Sequence, residues 1–459
     1  MSGISKFSGF PPAGPLSWPL DKKPVWRGGS PDSGEQGPHL GWWHAKAALA
    51  LDFFNARMMR GGEELPLASV VATLRSSPHL LADAQGIHHS FAANELATIA
   101  GRGAYIGGQM TPLVVRNSDL LVGWSNSSAP LTHSDAGGMA LGIFTRTLLV
   151  SSDATNTRHR RITLPNAVKS GDTYTVIAHY QLGTSGNILV FLENQSGGTF
   201  SRVAGNVAAP IVTTMDAGAI SNLATVLLPD GVTYRTTFHW VPNFSDIPRV
   251  GMGPYNTSPS GGTVIALGMD IHPGRLATPW IVSEGSSTMT SSRLASDVRV
   301  MASGSEPFDG YDAAGLASGN TILFEMSLSE LASGTNRSLL NIAGGSGEHQ
   351  AVYLDGVANE LRIATKKGGA TPFTIGVPMV AAGNVRVAAR FVDGSYRLRR
   401  SGGGVSTGTS AVTGAMPSPL TTIYLGQADN LSGHLNGIIK QAQICRPLTD
   451  GEMDAWVAA

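Results

Sequence analysis

Between residues 151 and 280, apolar and polar positions alternate with the period of two that a half-buried strand requires. In "TYTVIAHYQ" (173–181), Tyr174, Val176, Ala178 and Tyr180 fall on one face, and Thr175, Ile177, His179 and Gln181 on the other. "NILVFLEN", "VTYRTTFHWV" and "GTVIALGMDI" are three more runs of strand length, punctuated by Gly, Asn and Pro. This spacing predicts an antiparallel jelly-roll β-sandwich over 151–282. From 305 to 459 strands recur in "NTILFEMSLS", "RSLLNIAG", "QAVYLDGVANELRIATK", "NVRVAARFVDGSYRLRRSG", "TTIYLGQ" and "NGIIKQAQIC". Asp393-Gly394 sits between two of these runs, where a two-residue turn wants positive φ, and Asp355-Gly356 is a second such pair. The fold class expected is therefore mainly β.

Upstream the pattern weakens. Residues 46–150 read as a mixed connecting segment in which "HAKAALALDFFNARMM" carries one short helix. Residues 1–45 read as an extended arm. Pro11, Pro12, Pro15, Pro19, Pro24, Pro31 and Pro38 exclude a helix, and the Gly/Ser content builds no core. Trp18, Trp26, Trp42 and Trp43 lie on this arm, half of the eight tryptophans, and are candidate anchors into another protein's surface. The alternative is that they fold back onto the chain's own body. A Ser/Thr-rich linker, 283–304, joins the two β regions. At the far end, "LNGIIKQAQICRPLTDGEMDAW" (435–456) reads as a strand followed by a helix. Thr449 and Glu452 have capping-box spacing, Leu448 can staple against the helix, and Met453 and Trp456 can press on the sandwich.

Composition narrows the function classes. Only 14% of residues are charged and 57 are glycine, against roughly 25% charged in ordinary domains. Quiet surfaces, or surfaces covered by neighbouring subunits, follow. The 32 basic and 32 acidic side chains cancel, which removes the footprint of a nucleic-acid binder. Cys445 is the single cysteine, so no disulfide forms within the chain, and it reads as a small buried hydrophobe. No apolar run reaches membrane-spanning length. The opening "MSGISKFSGFPPAGP" lacks the basic and apolar regions of a secretory signal, so synthesis in a cytoplasm without export by that route is the expectation.

Two resemblances add to this reading. The Gly-led strand at Gly437, then Pro447-Leu448 and Thr449-Asp450-Gly451-Glu452, preceded by "IYLGQADNLSGHLNG", resembles the end of a concanavalin A-like or laminin G-like domain. It implies such a β-sandwich over 305–459, with the last strand returning to pair near the first. "LRSSPHLLADAQGIHHSFAANELAT" (74–98) and "LATPWIVSEGSSTMTSSRLASDV" (276–298) resemble segments that flank a sandwich in virion proteins of tailed bacteriophages. This resemblance implies that the cytoplasm of synthesis is a host bacterium's. "YIGGQMTPLVVRNSDLLVGWS" departs from the leucine-rich continuation usual there, and the Pro/Trp-rich start matches no such pattern.

Candidate chemistry is sparse. Glycoside hydrolysis needs two carboxyl groups roughly 5–9.5 Å apart. Glu325, Glu330, Glu348, Asp355, Glu360, Asp393 and Asp429 are scattered and read as solvated or turn carboxylates. Ser-His-Asp catalysis fails on context, because no Gly-x-Ser-x-Gly elbow follows a strand, and "GRGAYIGG" lacks the Lys-Ser/Thr of a phosphate loop and reads as a turn-rich connection. His88-His89 lacks a third metal ligand, while Asp429 and Asn430 offer a weak calcium loop. No cofactor or metal is expected. Trp240, Phe244 and Tyr255 flank "WVPNFSDIPRVGMGPYN" and are divided between core packing and a sugar-stacking platform.

Together these features, with the resemblances, imply a non-enzymatic virion structural protein. Its arm would contact other virion proteins, and its lectin-like sandwiches would contact host-surface glycans as a tail fibre or spike. A homo-oligomer is expected, a trimer by family analogy, with neither nucleic acid nor membrane insertion involved. The alternatives are a capsid decoration or head fibre protein, a tail depolymerase, and a bacterial glycan-binding module.

Overall fold

The closing strand, Gly437–Cys445, organises one end of the molecule. It pairs antiparallel with Asn320–Leu328 on one side. On its other side it pairs with Ala47–Asp52 and, through its first three residues, with Gly103–Ile106. The expected return of the last strand of 305–459 to the first described strand of that span, Asn320–Leu328, is thus present. These relations come from a computed structural model. It describes residues 42–60, 62–67, 71–75, 79–83, 87–99, 101–107, 113–127, 131–152, 158–196, 198–208, 211–215, 217–255, 262–274, 280–283, 297–300, 319–328, 336–344, 347–380, 383–402, 404–418, 420, 422–428 and 433–459.

Among these residues the strands form four large antiparallel sheets and one separate hairpin. Ten strands, with Gly437–Cys445 near the middle, face a seven-stranded sheet that includes His349–Asp355 and Glu360–Lys367. Phe324, Val352, Ile363, Val387, Tyr396 and Ile439 are packed between them. A second sandwich holds two six-stranded sheets around Val176, Tyr180, Leu192, Phe238, Trp240 and Ile271.

The chain order is interrupted. Val71–Leu74 lies antiparallel beside Asp297–Val300, with Leu74 opposite Asp297. Apart from the hairpin His79–Ala82 and His88–Phe91, the described strands before residue 107 and after residue 296 therefore share one sandwich, and the other is inserted between them. Both ends of the insertion meet at Gly426-Gln427. A Cβ at Gly426 would lie 2.9 Å from the Ile106 side chain, and the Gln427 amide donates to Asp297 at 2.7 Å.

The span 46–150, expected as a connecting segment, is divided between the two sandwiches. "HAKAALALDFFNARMM" is not helical: Ala47–Asp52 and Arg57–Arg60 form an antiparallel pair. Leu49, Leu51 and Met58 point into the core, and the strand is hydrogen-bonded along both edges. Tertiary pairing overrides the helix propensity of Ala and Leu. "GRGAYIGG" likewise supplies the strand Gly103–Ile106. A Cβ at Gly103 would sit 2.3 Å from the Ile439 carbonyl oxygen, so this close approach requires glycine. The inserted sandwich begins well before residue 151: Leu131–Ala140 and Phe144–Ser151 pair in one of its sheets, and Val114, Val115 and Trp124 lie in its core.

The alternation read in 173–181 is present, but its second face is buried too. Tyr174, Val176, Ala178 and Tyr180 enter the central core. Ile177 and His179 lie beneath Phe144 and Trp280, with the His179 ring 4.8 and 5.1 Å from theirs. A hairpin of His79–Ala82 and His88–Phe91 bridges the sandwiches: Leu80 joins this outer cluster, while Leu81 packs with Tyr105 and Ile438. Polar groups latch the two legs of the insertion. Asn117 Nδ2 donates to Asp270 Oδ2 at 3.0 Å and to the Ile281 carbonyl at 2.7 Å, and its Oδ1 accepts from Ser283 N at 2.9 Å. Trp280 Nε1 donates to Ser118 Oγ at 2.8 Å. Burial pushes the Asp270 carboxyl well above the usual carboxylate range, against the N–H donors of Ile271, Asn117 and Val114.

The local turn and cap chemistry follows the sequence. Asp393-Gly394 forms a two-residue turn, with Ser395 N donating to Val392 O at 2.8 Å and Gly394 at φ 73°. Asp355 instead opens a longer loop, its carboxylate accepting from Val357 N and Ala358 N. The helix Asp450–Ala458 starts on the capping box: Thr449 Oγ1 accepts from Glu452 N, and Glu452 Oε2 accepts from Thr449 N at 2.7 Å. Met453 and Val457 bury against Leu448, Leu323 and Cys445, and Trp456 Nε1 donates to Val387 O at 3.1 Å. Burial pushes the Cys445 thiol up, so it stays protonated. Thr449→Ala is expected to cost about 1 kcal/mol, read as a lower urea midpoint with faster amide exchange confined to residues 450–458.

Candidate functional site

In Asn187–Asn194 the alternation sends Ile188, Val190 and Leu192 into the core and leaves Leu189, Phe191 and Glu193 on the outer face. Register places Arg202, Phe191, Gly251 and Arg161 in one row across four strands of that face. The next row is Phe200, Glu193 and Arg249. On the other side lie Ala204, Leu189 and Gly253.

Gly251 and Gly253 leave a shallow gap, and His159 fills it. A Cβ on Gly251 would meet the His159 ring at 2.6 Å, and one on Gly253 would meet its Cα at 2.8 Å. The imidazole stacks on Phe191 with centroids 4.2 Å apart and planes 30° apart. Phe200 approaches Phe191 at 5.3 Å. The Arg202 guanidinium lies between the half-buried rings of Phe200 and Tyr255, at 5.5 and 5.6 Å. Its Nε is buried and has no hydrogen-bond partner among the described residues. Glu193 is shared by Arg161 at 3.2 Å and Arg249 at 3.6 Å.

Burial, with Arg161 and Arg158 close by, pushes His159 down to about 3, so the imidazole is neutral at physiological pH. The face thus combines partly exposed rings, a neutral stacked histidine and several guanidinium donors. Apolar platforms beside a few placed polar groups are what a ring-shaped, hydroxyl-bearing ligand requires.

Of the three residues proposed from sequence, this face includes one. Tyr255 belongs to it. Trp240 is fully buried and donates its indole N–H to Ala217 O at 2.9 Å, leaving no ring surface for a sugar. Phe244 packs beside Trp240 at 5.9 Å, against the core. Sequence reasoning missed His159, Phe191, Phe200 and Arg202. Two signals mark them: "NILVFLEN" puts Phe191 and Glu193 on one face, and glycines at i and i+2 of a strand flag a close approach.

The other candidates resolve as follows. Trp42 is engaged by its own chain: its indole donates to Glu64 at 3.1 Å, the Arg57 guanidinium lies 4.8 Å over its ring, and Trp43 meets it edge-on at 5.2 Å. Its carbonyl accepts from Gln441. Trp42 thus follows the alternative of folding back onto the chain's own body, while Trp18 and Trp26 lie outside the described residues. So do Asp429 and Asn430. His88 is pushed down to about 4, chiefly by burial, and His89 Nε2 contacts Asp83 Oδ2 at 2.8 Å. Among the described residues no group of three His, Cys, Asp or Glu could hold a metal. Asp393 holds a turn through Gly414 N and Ala415 N, and Glu325 and Glu360 pair with Arg386 and Arg362. An open groove of about 540 Å³ on the inserted sandwich's other sheet is lined by Ile87, Met139, Leu141 and Val232, with Arg146, Gln181 and Asp230 as its charged or amide groups.

No family model matches the chain, and no curated protein matches it. Among solved structures it is similar to the CBM40 module of the Ruminococcus gnavus IT-sialidase bound to α2,6 sialyllactose, at 15% identity over 32% of this chain and 88% of that one, with a TM-score of 0.25. It is similar to domains LG4-5 of the mouse laminin α1 chain, at 9% identity over 76% of this chain and 90% of that one, with a TM-score of 0.22. It is also similar to the GH43 BlXynB protein from Bacillus licheniformis, at 11% identity over 81% of this chain and 86% of that one, with a TM-score of 0.22.

Proposed function

We propose that this chain is a non-enzymatic structural protein of a tailed-phage virion that holds a host-surface glycan on the outer face of its inserted sandwich. The observation that carries the glycan reading is the constellation of Phe191, His159, Phe200, Arg202 and Tyr255 on one sheet. Among the described residues of that face Glu193 is the one carboxylate, and two arginines already occupy it. This suits binding, whereas hydrolysis needs a second carboxyl group across the ligand. The virion placement is supported by the resemblance of residues 74–98 and 276–298 to phage segments. The insertion topology gives those segments a role, since they lead into and out of the inserted sandwich. Attachment to the particle is assigned to the Pro/Trp-rich residues upstream of Trp42, with the chain acting as a homo-oligomer on a tail fibre or spike.

The purified full-length protein should sediment with envelope polysaccharide of the host bacterium and leave that polymer's viscosity unchanged. Phe200→Ala combined with Tyr255→Ala should weaken binding about tenfold, as the loss of two aromatic contacts predicts. Antibody against the chain should decorate released particles in electron micrographs. Absence of binding by the intact protein removes the glycan reading, and unlabelled particles remove the virion placement.

A further inference from the structure

We infer that the glycan held on this face carries carboxylate groups; this deepens the glycan reading and rests on it. The chain as a whole has no net charge and few charged residues. The outer face departs from that balance: Arg161, Arg202 and Arg249 stand against Glu193 alone among its described side chains. Arg161 and Arg249 share that glutamate. The buried Nε of Arg202 has no acceptor among the described residues.

A buried guanidinium nitrogen deprived of an acceptor is costly. Here the cost is accompanied by rigid positioning. Phe200 and Tyr255 flank the Arg202 guanidinium, so few rotamers remain to be lost when a ligand arrives. A planar fork held in this way matches a carboxylate, which can accept two parallel hydrogen bonds and cancel the charge. A sugar hydroxyl can accept only singly and leaves the charge in place.

Dimensions are compatible with this arrangement. Arg202 and Arg161 stand three strand spacings apart, about 14 Å between backbones, with the nearly buried rings of Phe191 and His159 flooring the interval. A pyranose on that floor can present a carboxylate to Arg202 and hydroxyls to Glu193 and Arg161. Because His159 stays neutral down to about pH 3, the positive character of the face comes from arginine and persists across the physiological range.

The test uses the full-length protein on a surface panel of oligogalacturonate, hyaluronate and α2,8-linked oligosialate. Carboxyl-reduced forms of each, neutral dextran and dextran sulfate complete the panel. The expected result is binding to at least one carboxylated glycan, at least about tenfold weaker after carboxyl reduction and in Arg202→Gln. Arg202→Lys, which keeps the charge and loses the fork, should fall between the two and guards against misfolding of the Gln variant. Equal binding to reduced or neutral glycans, unaffected by Arg202→Gln, overturns the carboxylate inference and leaves the glycan reading standing. Binding to dextran sulfate alone also overturns it, as general polyanion attraction. Binding to nothing on the panel, when host polysaccharide does bind, overturns it as well. Failure with both panel and host polysaccharide sinks the two readings together.

Discussion

Asn117→Ala is expected to destabilise the inserted sandwich by about 3–5 kcal/mol, the cost of orphaning several buried polar partners together. The side chain holds four groups: the Ser118 hydroxyl on its own leg, and the Asp270 carboxyl, the Ile281 carbonyl and the Ser283 amide on the other. All lie in buried surroundings that water does not reach, so none regains a partner after truncation. Ser118→Ala, which removes the acceptor of the Trp280 indole N–H, should cost less, about 1–3 kcal/mol. Urea unfolding followed by tryptophan fluorescence checks both values. Hydrogen exchange should show the loss concentrated at residues 113–118 and 280–283. An Asn117→Ala protein that unfolds with the parent would show that the latch contributes nothing.

The second large effect is acid lability above the ordinary carboxylate range. Burial holds His88 at about 4 and His159 at about 3, and it holds His179 well below its usual value, with Arg235 adding to the effect on both His88 and His179. Each titrates near 6.5 in the unfolded chain. As pH falls below that value the unfolded state takes up protons that the folded state refuses, so stability is lost from about pH 6.5 down towards pH 4. Asp270 works in the other direction. Its raised value makes its contribution complete in acid and lost as pH rises, so it offsets part of the histidine loss. The three histidines outnumber it between pH 6.5 and 4, where each costs up to about 1.4 kcal/mol per pH unit, and the urea midpoint should fall. His179→Gln should flatten that slope. A midpoint constant over this interval would mean that these imidazoles are solvated.

Local features were readable from sequence because their causes are local. The capping box at Thr449 and Glu452, the Asp393-Gly394 turn and the alternation in 173–181 each depend on neighbours a few residues away. The insertion was hidden, because the pairing of Val71–Leu74 with Asp297–Val300 spans more than two hundred residues and leaves no periodic trace. Ala47–Asp52 resembled a helix for the same reason: its Ala and Leu content favours one, and the strands that claim it come from the other end of the chain. The aromatic residues failed as pointers in a different way. Trp240 and Tyr255 sit on similar strand ends, yet one ring fills the core and the other lies outside. Period two divides a strand into faces without saying which face is covered. Arg202 became visible as a site residue once the register set it beside Phe191.

The convergence of Ile106 and Asp297 on Gly426-Gln427 has an evolutionary consequence. Because the outer sandwich closes on itself on either side of one point, the inserted sandwich behaves as a cartridge. Two recombination crossovers, near the codons for residue 107 and residue 296, can replace it without re-threading the strands that support it.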